Sequence, residues 1–157
     1  MANYIRVFEE GHSYFITVVT DKRRAILIEN IDLLRKSFQL SMKSYSYVID
    51  AIVILPDHFH MIITPQRSNE YPKIISHIKR SFLYGLGEEF KNECKIQISS
   101  SQYKRQVSGV WQKRFYEHTI RNEKDLYLHL DYILQNPVKH GYVENADHWK
   151  YSSFYTS

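Results

Sequence analysis

Only one cysteine, Cys94, occurs in the 157 residues. A single thiol can neither close an intrachain disulfide nor build a cysteine-based zinc cluster, so a reducing, cytoplasmic setting is expected. No window approaches the roughly 18 consecutive apolar residues of a membrane span. The opening MANYIRVFEEGHS has no apolar signal core, and no membrane is expected as a partner. Repeats and shifts in composition are also missing, which predicts a single domain over residues 1–157. Charge of one sign is in small excess: 21 Lys and Arg against 17 Asp and Glu give +4, with a pI near 9.0. That balance permits a polyanionic partner without requiring one. Aromatics, in contrast, are plentiful. Thirteen Tyr and eight Phe in a chain that is 43% hydrophobic exclude a disordered chain. Set beside basic residues, they favour single-stranded nucleic acid over duplex alone.

Periodicity predicts the elements. SYFITVVT at 13–20 reads as a strand, followed by a basic turn, DKRR, at 21–24. Leu27, Ile31, Leu34, Phe38 and Met42 recur at helical spacing over 27–43. Residues 46–54 form a second strand, Pro56-Asp57 breaks it, and 58–64 return as a third strand paired to it in a hairpin. A polar loop follows at 65–72, then a helix over 72–86. The span 87–109 is polar and poor in apolar residues, and is expected to be irregular. A fourth strand is predicted over 110–120 and a helix over 122–136, ended by Pro137. The aromatic tail from His140 onward should pack back on the body. The order β-α-β-β-α-β-α predicts an α+β, ferredoxin-like (RRM-like) antiparallel sheet with helices on one face, plus an added C-terminal helix.

Within the third strand, LPDHFHMII sets His58 and His60 on one side and Phe59, Met61 and Ile63 on the other. The two histidine Cα atoms lie about 6.6 Å apart on one strand face, so both rings can converge on one ion. In the last helix, Asn122 suits the N-cap, and Leu126, Leu130, Ile133 and Leu134 share a side. Asp125, His129, Tyr132 and Asn136 are expected on the opposite side. Tyrosine is a poor nucleophile at neutral pH, because a phenol titrates near 10, and becomes a plausible one beside a cation that polarises the group under attack. His58 and His60 can hold such a cation, and the Asn136 amide oxygen offers a third ligand, leaving positions open for water and a phosphate oxygen. Taken singly, these features are ordinary. A His-x-His strand is more often a solvated sheet face, and an exposed Tyr is usually a surface aromatic. Their combination gives three positions one shared use.

The HFH at 58–60 is similar to the His-hydrophobic-His motif of the HUH endonuclease superfamily. LDYILQNPVKHGYV at 130–143 resembles the catalytic helix of the single-tyrosine transposases. WQKRFYEHTIRNEKD at 111–125 and DHWKYSS at 147–153 look like the branch of REP-associated tyrosine transposases. The resemblance spans nearly the whole chain and implies a prokaryotic enzyme, nucleoid-associated when bound to DNA. It implies a metal-dependent single-stranded DNA endonuclease and strand transferase acting at palindromic hairpins. Tyr132 would be the nucleophile, forming a 5′-phosphotyrosine link. His58, His60 and Asn136 would bind Mg²⁺ or Mn²⁺. Candidate DNA contacts are Arg23, Arg24, Lys79, Arg80, Lys113 and Arg114 for phosphates, with Trp111 and Tyr116 for stacking on bases. The unit could be a monomer or a homodimer. The segment 91–109 is longer and more polar than compact members of the branch suggest, and could form an extra DNA-binding loop. Two other classes stay open: a non-catalytic nucleic-acid binding module on the same fold, and a metal-dependent phosphohydrolase that uses water.

Overall fold

A computed structural model describes residues 11–96 and 109–156. Four strands form one antiparallel sheet: β1 (Tyr14–Val19), β2 (Tyr47–Ile54), β3 (His58–Pro65) and β4 (Tyr116–Thr119), in the order β2-β3-β1-β4. Helices α1 (Ile31–Ser44) and α2 (Tyr71–Gly85) provide the two crossovers expected of the ferredoxin-like arrangement. Strand register explains why β3 is buried on both sides. Tyr14, Ile16 and Val18 of β1 share a face with Phe59, Met61 and Ile63 of β3 and join one core with Leu34, Phe38, Ile74, Ile78 and Phe82 of the two helices. Phe15, Ala51, Val53 and Ile62 point the other way and pack with Ile133, Leu126 and Leu130 of the last helix, α4 (Glu123–Lys139). Asp50 is the extra residue of a β-bulge in β2, where the pairing shifts between Ile49 and Ala51.

The β2–β3 turn is closed by a bond of its own and anchored from outside by two more. Leu55 N–H donates to the His58 carbonyl at 2.8 Å, while Thr20 N–H donates to the Asp57 carbonyl at 2.9 Å and Leu27 N–H to that of Pro56 at 2.9 Å. Asn122 caps α4 as expected, its side chain accepting from Asp125 N–H at 2.8 Å. The aromatic tail packs back along β2: the Trp149 ring N–H donates to the Ile54 carbonyl at 2.9 Å, and Val53 forms a bridge with Ser152.

Three expectations are corrected. Residues 88–96, expected to be irregular, form a helix, α3 (Glu88–Ile96). It is anchored by few apolar contacts: Cys94 is buried in the core, and Phe90, one turn earlier, packs against the same cluster. The remainder of the supposed excursion, 97–108, lies outside the described residues, as does the suggested DNA-binding loop there. The fourth strand is shorter than 110–120. Trp111 makes only an isolated bridge to Thr20, Gln112 N–H still donates to the Val19 carbonyl at 3.0 Å, and residues 113–115 then leave the sheet, with Lys79 Nζ donating to the Gln112 carbonyl at 2.9 Å. Finally, Pro137 does not end α4. The helix runs on to Lys139 and closes at Gly141, whose φ is 79°, with Gly141 N–H donating to the Val138 carbonyl and Tyr142 N–H to that of Pro137, each at 2.9 Å. This is a Schellman closure, and together with burial of Pro137 it overrides the preference of a pre-proline residue for extended backbone.

Candidate active site

The α4 side of the sheet carries an open cavity of about 530 Å³. Its floor is Phe15 and Thr17 of β1 with His58 and His60 of β3. One wall is α4, through Leu128, His129 and Tyr132. Arg23, Tyr116 and His140 complete the rim.

Each floor histidine is held by a neighbour. Asp57 Oδ1 lies 2.6 Å from His58 Nδ1. A carboxylate only accepts, so Nδ1 carries the hydrogen and Nε2 keeps its lone pair. Thr17 Oγ1 lies 2.7 Å from His60 Nδ1. The two rings stand 4.9 Å apart, nearly perpendicular. Burial pushes both imidazoles below the ordinary histidine range. For His58 the drop is opposed by its bond to Asp57, whereas His60 falls to about 3 under burial and the positive charge around it. Both rings are therefore neutral near pH 7. His60 Nε2 is buried with no hydrogen-bond partner, a costly arrangement for a polar atom unless something else binds it.

Tyr132 sits at the rim, 40% exposed, its ring 5.1 Å from that of His60 and 5.7 Å from Phe15. Lys139 Nζ lies 5.5 Å from the centre of the same ring. Asn136 is not across the helix from the apolar stripe, as expected, but on the buried side with Ile133. The wide contact of α4 with the sheet takes in both positions. Asn136 is 1% exposed, does not line the cavity, and neither of its amide atoms has a hydrogen-bond partner. Orphaned donors and acceptors of this kind are rare in protein interiors.

The candidate DNA contacts separate. Arg23 and Tyr116 line the cavity. Lys22 and Arg23 both have φ of 54°, a left-handed turn that costs non-glycine residues about 1 kcal/mol each. There, Arg23 Nη1 lies 3.5 Å from Asp57 Oδ2. Lys113 and Arg114 are exposed just before β4, and Arg80 is exposed on α2, beyond the opposite face of the sheet. Trp111 is corrected, and Arg24 and Lys79 are engaged within the fold. Trp111 is only 3% exposed, packs edge-on against Phe59 and Phe82, and donates its ring N–H to the Lys79 carbonyl at 3.1 Å, so it cannot stack on bases. Arg24 pairs with Asp21 and donates to the Gly109 carbonyl, bracing the chain internally. Lys79 is committed to the backbone at 112–113.

Four residues at the site escaped sequence reasoning: Thr17 and His140, which line the cavity, Asp57, which holds His58, and Lys139, which lies over the Tyr132 ring. His140 lies with its ring 5.4 Å from His58, but a helix presumed to stop at 136 left it outside. Asp57 adjoins His58 in the quoted motif and was read only as a turn residue. The Thr17–His60 pairing follows from strand register, which periodicity alone does not supply.

Among the described residues no helix is long and apolar enough to cross a membrane. The family model for IS200-like transposases matches residues 9–136. A REP-associated tyrosine transposase of Escherichia coli K12 is 32% identical over 157 residues, covering 99% of this chain and 84% of that protein. A Haemophilus influenzae protein named for the same transposases is 41% identical, covering 99% of this chain and 86% of its own length. A solved structure of the REP-associated tyrosine transposase bound to a REP hairpin superposes with a TM-score of 0.78 at 31% identity, covering 98% of this chain and 83% of that one. The chain belongs to the IS200-like transposase family, in its branch of REP-associated tyrosine transposases.

Proposed function

We propose that this protein nicks and rejoins single-stranded DNA beside a palindromic hairpin, through a covalent link between Tyr132 and a 5′-phosphate. The observation that carries this reading is the contact between the Tyr132 ring and the His60 ring, 5.1 Å apart across the cavity. His58 and His60 are neutral imidazoles aimed at one space, and Asn136 contributes a buried amide with no other use. Nitrogen ligands of this kind, with one oxygen, would hold Mg²⁺ or Mn²⁺, and manganese suits the softer nitrogens better. When bound, such an ion supplies Lewis-acid polarisation of the phosphodiester.

The chain's own residues supply the remainder. Tyr132 provides the attacking oxygen. Asp57 and Thr17 fix the ring orientations of His58 and His60. Arg23 on the cavity rim, with the exposed Lys113 and Arg114 just before β4, would meet phosphates, and the Tyr116 ring, 58% exposed, offers a stacking face for a base. The covalent link keeps the energy of the phosphodiester, so rejoining to a 3′-hydroxyl needs no nucleotide cofactor.

A pool of 3′-labelled hairpin oligonucleotides with randomised single-stranded flanks tests the reading. Incubated with Mn²⁺, the protein is expected to carry label through denaturing electrophoresis, and Tyr132→Phe to carry none. Hairpin binding without cleavage would instead make it a binding module. Cleavage that survives Tyr132→Phe would make water the nucleophile.

A further inference from the structure

One hydrogen-bonded cluster beside the cavity has no part in the chemistry above. It is made of His118 on β4 with Asp125 and His129 on α4. Their ligand-type atoms lie within 4.8 Å of one another, the only such grouping of three or more His, Cys, Asp or Glu among the described residues. The hydrogen bonds decide what the cluster can do. His118 Nε2 lies 2.8 Å and 3.1 Å from the two Asp125 carboxylate oxygens, so it carries its hydrogen. His129 Nδ1 lies 2.8 Å from the Asp125 carbonyl oxygen and 3.2 Å from Oδ1. Both are acceptors, so Nδ1 carries the hydrogen. A metal ion would have to displace these bonds. With both rings neutral, the network leaves a lone pair on His118 Nδ1 and on His129 Nε2, and of the two residues only His129 lines the cavity.

His129 Nε2 is on the ring edge turned away from Asp125. His129 precedes Tyr132 by three residues, which puts their Cβ atoms about 5–6 Å apart on the helix. Both rings pack on Phe15, at 4.8 Å and 5.7 Å. His118 stacks on His129 at 4.5 Å and 16°. Burial works against the Asp125 carboxylate, but the Arg121 backbone N–H and His118 bonds outweigh it and hold the group below the ordinary range. It is therefore charged and able to steady an imidazolium beside it. The other titratable groups facing His129 are Tyr132, Tyr116 on β4 and His60 beyond Phe15, with Arg23 and His140 on the far side of the cavity.

The geometry points to His129 as a further catalytic residue, the base that takes the phenolic proton of Tyr132, with Asp125 and His118 as its positioning residues. The inference rests on the strand-transfer reading above. As Tyr132 Oη forms its bond to phosphorus, the bond from phosphorus to the 3′ oxygen breaks. The phenolic proton passes to His129 Nε2. The 3′ oxygen leaves with its electron pair and takes a proton from water. On rejoining, the imidazolium returns its proton to Oη, and water accepts the proton of the incoming 3′-hydroxyl.

The test is the rate of covalent adduct formation on the same 3′-labelled hairpin pool, with hairpin binding and melting temperature as controls. His129→Gln is expected to slow the adduct by about a hundredfold near neutral pH, the scale of general-base catalysis, while binding and melting stay at the parent values. Its rate should climb as pH rises and hydroxide replaces the missing base. Added imidazole should restore His129→Ala, which a merely structural role would not allow. A parent rate for His129→Gln across the pH range overturns the proposal and leaves the Tyr132 reading intact. A loss that follows a lowered melting temperature and resists imidazole also overturns it, making the cluster a brace. Label retained by Tyr132→Phe would overturn both readings together.

Discussion

Strand β3 carries Phe59, Met61 and Ile63 to one face of the sheet and His58 and His60 to the other, yet every one of these side chains is buried. Beneath α1 and α2, the apolar set joins the main hydrophobic core. Beneath α4, the histidines meet Asp57, Thr17 and the open cavity. The period of two lets one strand serve as core and as site at once, with adjacent residues performing unrelated tasks. It also separates the two costs of mutation. Damage to the first face should appear in stability, and damage to the second in chemistry.

Neighbouring substitutions in β3 sharpen that contrast. His60→Ala is expected to abolish adduct formation at low Mn²⁺ while the chain stays folded and still binds hairpin. Phe59→Ala, one residue away, should cost about 3–5 kcal/mol in denaturant unfolding by leaving a hole between Phe38 and Trp111. If the two variants behave alike in both assays, the division between the faces is wrong.

Acid breaks the comparison from the other side. The folded chain protonates His60 only near pH 3, whereas the unfolded chain does so near 6.5. The unfolded state therefore binds more protons between these values, so stability is full above 6.5 and falls as pH falls. In EDTA the loss should reach about 2 kcal/mol by about pH 5, and it should be missing from His60→Ala. Equal acid sensitivity in the two proteins would exclude His60 as the source.

The smallest effect belongs to Glu117, on the apolar face at the β4 edge, whose carboxyl burial raises to about 7. Its charge is disfavoured in the folded state, so Glu117→Gln should stabilise the protein above pH 7. Partial exposure keeps the gain under about 0.5 kcal/mol. No gain should remain below about pH 4, where the carboxyl is protonated in the folded and the unfolded chain alike. A gain of equal size in both ranges would rule out the carboxyl's charge as its cause.

The alternation of β3 and the leucine stripe of α4 are written in the residues themselves, and the positions of His58, His60 and Tyr132 were legible for that reason. What escaped depends on contacts between distant segments. Helix α3 rests on Phe90 and Cys94 and on the Lys91–Glu88 ion pair at 2.7 Å, too few apolar positions for periodicity to register. Trp111 looked like part of a long strand, but only Tyr116–Thr119 pair as one, and the carbonyls of 112 and 113 turn to Lys79 instead. His140 was lost with the helix end, since a proline near a C-terminus does not say whether a glycine-closed turn follows it. The His118–Asp125–His129 cluster joins β4 to α4, and its parts acquire meaning only once that packing is known.

The most direct measurement is mass-spectrometric mapping of the residue that bears DNA after reaction with the hairpin pool, nuclease trimming and trypsin. The tryptic peptide Asp125–Lys139 contains Tyr127 and Tyr132, both exposed. The account predicts a 5′-nucleotide phosphate on Tyr132 alone. Attachment to Tyr127, to a tyrosine elsewhere, or to no residue while the DNA is nevertheless cut would contradict it.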